Sequence, residues 1–162
     1  SRATGKTVEQ FANETLFGAL GITNYRWTAD QKGLAHGGGG LWIAPRDLLK
    51  VGRMILDGGK FNGQQVLSAK WIEELSTSRH LVVLGRGYGL QWWRLSRRTD
   101  KAERRDDDIL AAMGNMSNFL FIDRATNSVI VVNGWITTPR FLENPVRFLR
   151  RQILPALDSA QP

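Results

Sequence analysis

Two short stretches contain residue types that bind phosphate or assist acid–base chemistry. Residues 3–7 read ATGKT, and residues 35–47 read AHGGGGLWIAPRD, which sets His36 beside four consecutive glycines. A phosphate-binding loop needs a further glycine five residues before Gly5, a position that precedes Ser1, and the four-glycine run has no lysine in the required place. We therefore expect residues 3–7 to begin a helix. The glycine run is expected to line a cleft, because glycine lets the backbone approach another group closely.

The composition argues against several other kinds of site. The 162 residues include no cysteine and two histidines, so disulfides and thiolate chemistry are excluded, and we expect neither a metal nor an organic cofactor. The net charge is +7, but the densest charged run, residues 97–108, interleaves acids and bases whose fields cancel within about 10 Å. We expect no nucleic-acid partner. No apolar stretch approaches the roughly 20 residues of a membrane span.

Capping signals and apolar periodicity predict the helices. Thr7 with Gln10 forms a capping-box pattern at the start of a helix that reaches about Phe17. Proline favours the first helical position, and Ser and Asn favour the cap. On these grounds further helices are expected to begin at Pro45, after a Ser68 cap, and at Pro145 after an Asn144 cap.

The second half of the chain is rich in strand signals. Residues 87–95 (GYGLQWWRL) are expected to form a single strand, with Trp92 and Trp93 shared between the core and a cleft edge. Residues 118–123 and 128–134 flank the polar connector RATN and predict a hairpin. Residues 129–132 do not alternate, so their strand is expected to be covered on both faces and to lie in the middle of a sheet. The expected fold class is α+β, an antiparallel sheet flanked by helices.

One long block resembles a known superfamily. Residues 37–75 resemble the serine β-lactamase-like superfamily, which includes class C β-lactamases, esterases, D-alanyl-D-alanine peptidases and 6-aminohexanoate-dimer hydrolases. The resemblance extends, in order, to residues 4–23, 87–94, 113–135 and 144–157. It implies a β-lactamase/transpeptidase-like fold, of which residues 1–162 are the C-terminal portion of a single domain. The N-terminal portion that bears the nucleophile is expected upstream.

The resemblance also implies acyl transfer by a serine. In this superfamily a Ser-x-x-Lys motif supplies the nucleophile and its base, and a Tyr-x-Asn motif supplies a second proton-transfer group. Here no serine has a lysine three residues later, and neither Tyr25 nor Tyr88 has an asparagine two residues later. No catalytic residue is therefore intact, and the chain alone is not expected to catalyse a reaction.

A third superfamily motif, Lys-Thr-Gly or a His-Gly or Gly-Gly variant, has a counterpart at residues 114–118. Asn115 takes the Lys or His position, or Met116 does in a register one residue later. Asn115 can donate a hydrogen bond but carries no charge. The main-chain N–H groups of Ser117 and Asn118 are candidates for an oxyanion hole, which depends on backbone geometry more than on side chains. The alternative is that these residues merely begin a strand.

Residues of the glycine run are candidates for the substrate side of the cleft. His36, Gly38 and Gly39 are the residues in question, and the alternative for His36 is a surface or capping role. The resemblance implies a small-molecule amide, ester or β-lactam substrate once an upstream half is present. A non-catalytic remnant or binding module is the alternative. The resemblance does not determine the cellular compartment. A periplasmic or secreted protein is expected from the superfamily, and a cytoplasmic one is the alternative.

The resemblance implies that the first strand of the domain lies upstream of Ser1, which affects how residues 1–162 are expected to associate with other chains. In relatives the last strand lies between its hairpin partner and that first strand. An open sheet edge invites pairing with another chain. We therefore expect residues 1–162 alone to self-associate or to pair with an N-terminal segment.

Overall fold

A computed structural model describes residues 3–77, 80–81, 87–97, 109–134 and 143–160. Helices and pairs of short strands are mixed in the first half of the chain, and most strands follow one another in the second half. The α-helices are Val8–Ala12 (α1), Pro45–Leu56 (α2), Ala69–Leu75 (α3), Glu143–Phe148 (α4) and Leu154–Ser159 (α5). A π-helical turn, Asn13–Phe17, continues α1, and another, Leu149–Ile153, continues α4. The strands are Tyr25–Trp27 (β1), Leu41–Ile43 (β2), Lys60–Phe61 (β3), Gln64–Gln65 (β4), His80–Leu81 (β5), Gly87–Gly89 (β6), Trp92–Leu95 (β7), Ile109–Met113 (β8), Phe119–Asp123 (β9) and Ser128–Val132 (β10). The charged run at residues 98–108 lies outside the described residues.

Local capping explains where the helices begin. The Thr7 hydroxyl accepts from the Gln10 N–H at 3.1 Å, and the Gln10 side chain accepts from the Thr7 N–H at 2.9 Å, so the predicted capping box is confirmed. Ser68 caps α3, and Pro45 opens α2, as predicted. The predicted Asn144 cap is wrong, because the last helix already begins at Glu143. Pro145 is tolerated inside that first turn, whose N–H groups have no helical partner.

Within the described residues, six strands form one antiparallel sheet in the order β10-β9-β8-β7-β6-β5. The single strand predicted at residues 87–95 is wrong, since Leu90 and Gln91 form a two-residue turn between β6 and β7. Both turn residues have positive φ, 47° and 69°. Such a turn usually contains glycine or asparagine, so the sequence carried no signal for it.

Six further strands, β1 to β5 and β8, were also absent from the sequence-based prediction. Strand β8 contains two alanines and little apolar alternation, yet it lies between β7 and β9. Strands β3 and β4 pair across Asn62-Gly63, both with positive φ, which is a strong hairpin signal. Strands β1 and β2 pair at the two ends of a long excursion that contains the glycine run.

Apolar side chains on the two faces of the sheet form separate clusters. Leu110 and Ile122 pack with residues of α2 and α3, whereas Phe119 and Phe121 pack with the C-terminal helices. Successive strand residues face opposite sides, so β8 and β9 are buried on both faces. Trp92 packs against the first cluster, which contains Leu110 and Ile122, and Trp93 packs against the second cluster, which contains Phe119 and Phe121.

Strand β10 lies at the end of the sheet. Helix α2 approaches it closely through Gly52, where an added Cβ would come within 2.4 Å of the Val129 side chain. Ile130 and Val132 pack against the second cluster on the other face. The predicted covering of both faces is confirmed. The predicted central position is not seen, because β9 is its only strand partner in the described part of the chain.

Charged groups attach the C-terminal helix to the sheet. Arg97 donates to the Asp123 carboxylate at 2.7 Å and also pairs with Asp158 on α5. Arg150 donates two hydrogen bonds to the Ser96 carbonyl, at 3.0 and 2.7 Å. Asp123 is completely buried, so its ion pair is formed inside the protein. No helix among the described residues is both long enough and apolar enough to cross a bilayer.

Candidate functional site

Residues 114–118 form a tight turn, here called the 114–118 turn, between β8 and β9. The Gly114 N–H donates to the Asn118 carbonyl at 2.8 Å, and the Asn118 N–H donates to the Asn115 carbonyl at 3.3 Å. The Asn118 side-chain amide donates to that same carbonyl at 2.8 Å. The segment does not begin the strand, which starts at Phe119. It is a compact turn at the end of the sheet.

Two consecutive residues of the turn have left-handed backbone conformations. Met116 has φ 58° and Ser117 has φ 66°, a conformation that costs an L-residue about 1–2 kcal/mol. Gly134 packs against both, since an added Cβ there would lie 2.8 Å from Ser117 Cβ and 3.1 Å from the Met116 carbonyl oxygen. Strained backbone of this kind persists where the surroundings fix it, and it is concentrated at functional sites.

The turn leaves main-chain donors available at Asn115 and Met116. Among the described residues, neither N–H has a hydrogen-bond partner. Asn115 is exposed and Met116 half-buried. By contrast, Ser117 is 1% exposed and has an interaction of its own, and the Asn118 N–H bonds within the turn. The available donors, Asn115 and Met116, therefore lie two residues earlier than the predicted pair, Ser117 and Asn118.

Asn133 joins this group, although no role was predicted for it. Its side-chain N–H donates to the Asn118 side-chain oxygen at 3.1 Å. Asn115, Asn118 and Asn133 are all exposed. The contact can be deduced from the register of the β9–β10 hairpin. Val132 pairs with Phe119, so the next pair in that register is Asn133 with Asn118.

The glycine run lies in the excursion between β1 and β2. The Trp27 indole N–H donates to the His36 carbonyl at 3.2 Å and to the Gly39 carbonyl at 3.1 Å. The His36 ring lies about 3.8 Å from the position that a Cβ on Gly38 would occupy. His36, Gly38 and Gly39 are all exposed. The structure thus brings these three candidates together in the connection between β1 and β2, whereas Asn115, Ser117 and Asn118 lie in a turn of the six-stranded sheet.

A cavity of about 440 Å³ lies near the other end of β9 and contains none of the predicted site residues. Its lining includes Ser76, Arg94 and Arg124. Arg124 donates to the Ser76 hydroxyl at 2.6 Å, at the C-terminal end of α3. A cation there complements the partial negative charge of a helix C-terminus, which gives this arginine a structural role.

Within the described residues, no cluster of three or more His, Asp or Glu side chains could hold a metal.

Solved structures that superimpose on this sheet and its flanking helices have the β-lactamase/transpeptidase-like fold. Residues 1–151 match the family model named Beta-lactamase, and the chain belongs to that family. The predicted family and the α+β fold class are therefore confirmed.

Relatives of this family give the scale of the match. The 6-aminohexanoate-dimer hydrolase of Paenarthrobacter ureafaciens is 33% identical over an alignment of 119 residues that covers 67% of this chain and 28% of that protein. A Bacillus anthracis protein carrying the same name superimposes with TM-score 0.79 at 22% identity, covering 98% of this chain and 41% of that one. Simvastatin synthase from Aspergillus terreus gives TM-score 0.68 at 18% identity, covering 97% and 51%. The chain thus spans about half or less of the length of these relatives.

Proposed function

We propose that residues 1–162 are the C-terminal portion of a serine hydrolase domain that acts by acyl transfer on a small-molecule amide, β-lactam or ester. The observation that carries the proposal is the pair of available main-chain N–H groups at Asn115 and Met116. They lie in the segment that resembles the third superfamily motif. In this proposal the nucleophilic serine and its lysine belong to a segment that precedes Ser1.

The proposed chemistry of the turn is stabilisation of negative charge. When a serine attacks a carbonyl group, the carbonyl oxygen becomes an oxyanion that needs fixed hydrogen-bond donors. Removing one such donor typically costs about 10²–10³-fold in rate. The rigid backbone of Met116 and Ser117, held by Gly134, keeps the donors in place without reorganisation. Because Asn115 is neutral, it orients substrate but does not lower the pKa of a neighbouring base.

Residues 1–162 are proposed to be inactive by themselves. Ser117 is the only serine in the turn, and it is 1% exposed, so its hydroxyl does not reach a substrate. His36, Gly38 and Gly39 form an exposed loop that we assign to the substrate side of the same cleft. That assignment requires the completed domain to bring the two loops together.

A serine-reactive fluorophosphonate tests the proposed function directly. The polypeptide is isolated from its natural source, and its intact mass is measured before and after incubation with the reagent. We expect one adduct on a polypeptide heavier than residues 1–162. Absence of an adduct on the folded polypeptide would contradict an activated serine and favour a non-catalytic member of the family.

The exposed edge of β10 leads to a proposal about partners. Its outer backbone groups have no strand partner in the described residues, and unpaired edges bind further strands. We propose that residues 1–162 produced alone either self-associate or bind an N-terminal segment. Size-exclusion chromatography with light scattering is expected to show species larger than a monomer. A clean, stable monomer would contradict this proposal.

A further inference from the structure

The amide groups beside the 114–118 turn have a defined orientation. A carbonyl oxygen only accepts hydrogen bonds, so the Asn118 group that faces the Asn115 carbonyl at 2.8 Å must be the NH₂ group. The Asn118 side-chain oxygen is then the atom that faces Asn133. Only the NH₂ group of Asn133 can donate to it, at 3.1 Å. Each of the two side-chain amides therefore has a single orientation that satisfies these hydrogen bonds.

This orientation leaves the side-chain oxygen of Asn133 as an available acceptor. Among the described residues, Asn133 has no hydrogen bond besides the one to Asn118. Its side chain is exposed. The same end of the sheet therefore carries main-chain donors at Asn115 and Met116 and a carbonyl-type acceptor at Asn133. The side chains of Asn115, Asn118 and Asn133 are all neutral.

We infer that Asn133 is a specificity-determining residue that favours amide substrates over esters. An amide has a carbonyl acceptor and an N–H donor, whereas an ester has no N–H. In this inference the carbonyl oxygen of an amide accepts from the main-chain donors, and its N–H donates to the Asn133 side-chain oxygen. Asn118 is the positioning residue that orients Asn133. This inference rests on the proposed function, because it concerns the substrate of that same site.

The exposure of the Asn133 side chain determines how strongly its loss should change the preference for amides over esters. A buried polar site rejects an analogue that lacks the matching group by about 10⁴-fold or more. Asn133 is exposed and water competes for its oxygen, so the loss of one hydrogen bond corresponds to about 10-fold. A selective effect of this size is measurable as a ratio of two rates on the same enzyme preparation.

The test uses the polypeptide from its natural source and its Asn133→Leu variant, which removes the acceptor. The ratio of kcat/KM for an anilide to that for the ester of the same acid is measured for both. We expect the variant to lose about 10-fold in this ratio, with ester turnover nearly unchanged. Gln152→Leu, an exposed polar-to-Leu change on the C-terminal helix, is the matched control and should leave the ratio unchanged.

The ratio separates the possible outcomes. Partial unfolding lowers both rates together and leaves the ratio intact, so an unchanged ratio overturns the inference. If Asn133→Leu also abolishes ester turnover, Asn133→Ala is measured. Loss of ester turnover in that variant too would overturn an amide-selective role. If the unmodified polypeptide turns over neither substrate and takes up no fluorophosphonate, it is the proposed function that fails.

Discussion

The two ends of strand β9 differ in what their polar groups bind. At its C-terminal end, the buried Asp123 carboxylate accepts from Arg97 at 2.7 Å, from the Thr126 hydroxyl at 2.6 Å and from the Ala125 N–H at 3.3 Å. At its N-terminal end, the 114–118 turn leaves the Asn115 and Met116 N–H groups without a described partner. The ends are separated by about 17 Å, five residues of strand.

This difference indicates a division between stability and binding along one strand. The Asp123 end has its charges paired within the protein and attaches the C-terminal helix. The turn end keeps a strained backbone, neutral side chains and unpaired donors at the surface. Substitutions at the Asp123 end should therefore change stability the most, and substitutions in the turn should change stability less and also affect binding and chemistry.

The largest effect on stability is expected for Asp123→Ala. Removing one member of a buried ion pair leaves the other charge and its hydrogen-bond partners unsatisfied, at a cost of about 3–5 kcal/mol. Because Arg97 is 15% exposed and retains Asp158, we expect a value near the lower limit, about 3 kcal/mol. Urea denaturation followed by circular dichroism measures it. Asp158→Ala, whose carboxylate is 59% exposed, is the control and should cost less than about 1 kcal/mol.

A smaller effect is expected for Gly134→Ala. The added methyl group would lie 2.8 Å from Ser117 Cβ, so the turn must shift, at a cost of about 1–2 kcal/mol. Gly37→Ala is the matched control, since a Cβ there meets nothing within 4 Å. Equal melting temperatures for the two variants would show that Gly134 does not hold the turn.

The smallest predicted change is a gain in stability from Met116→Gly. Glycine adopts the left-handed conformation without the steric cost of a side chain, so we expect about 0.5 kcal/mol of stabilisation by urea denaturation. The control is Met113→Gly, in the extended backbone of β8, which should destabilise the protein. A loss of stability at both positions would mean that the Met116 side chain contributes more than its strained backbone costs.

The sequence predicts those parts of the molecule that depend on local chemistry. Thr7, Pro45 and Ser68 give correct helix starts because capping involves residues within one turn. Leu90 and Gln91 gave no sign of their turn, because its positive φ angles are imposed by the pairing of β6 with β7. Local signals therefore located helices better than strand connections.

The site was predictable in place but not in detail. The resemblance to the superfamily indicated residues 114–118 as the counterpart of its third motif, and the structure shows a polar, strained turn there. The available donors at Asn115 and Met116 follow from hydrogen bonds between Gly114, Asn115 and Asn118. The contact between Asn133 and Asn118 depends on strand register. Sequence spacing alone contains neither of these facts.

The central claim is that the 114–118 turn acts through its main chain, and Asn115→Pro tests it most directly. Proline removes the Asn115 N–H, and the preceding Gly114 already has the extended backbone that proline requires, φ −103° and ψ 172°. Asn115→Ala removes the side chain but keeps the N–H. The measurement is the rate of acylation by a fluorophosphonate of the polypeptide from its natural source.

We predict that Asn115→Pro lowers the acylation rate about 100-fold, whereas Asn115→Ala stays within about 3-fold of the unmodified polypeptide. Melting temperatures of both variants control for folding. Equal acylation rates for Asn115→Pro and Asn115→Ala, with both variants folded, would contradict a main-chain role for the turn.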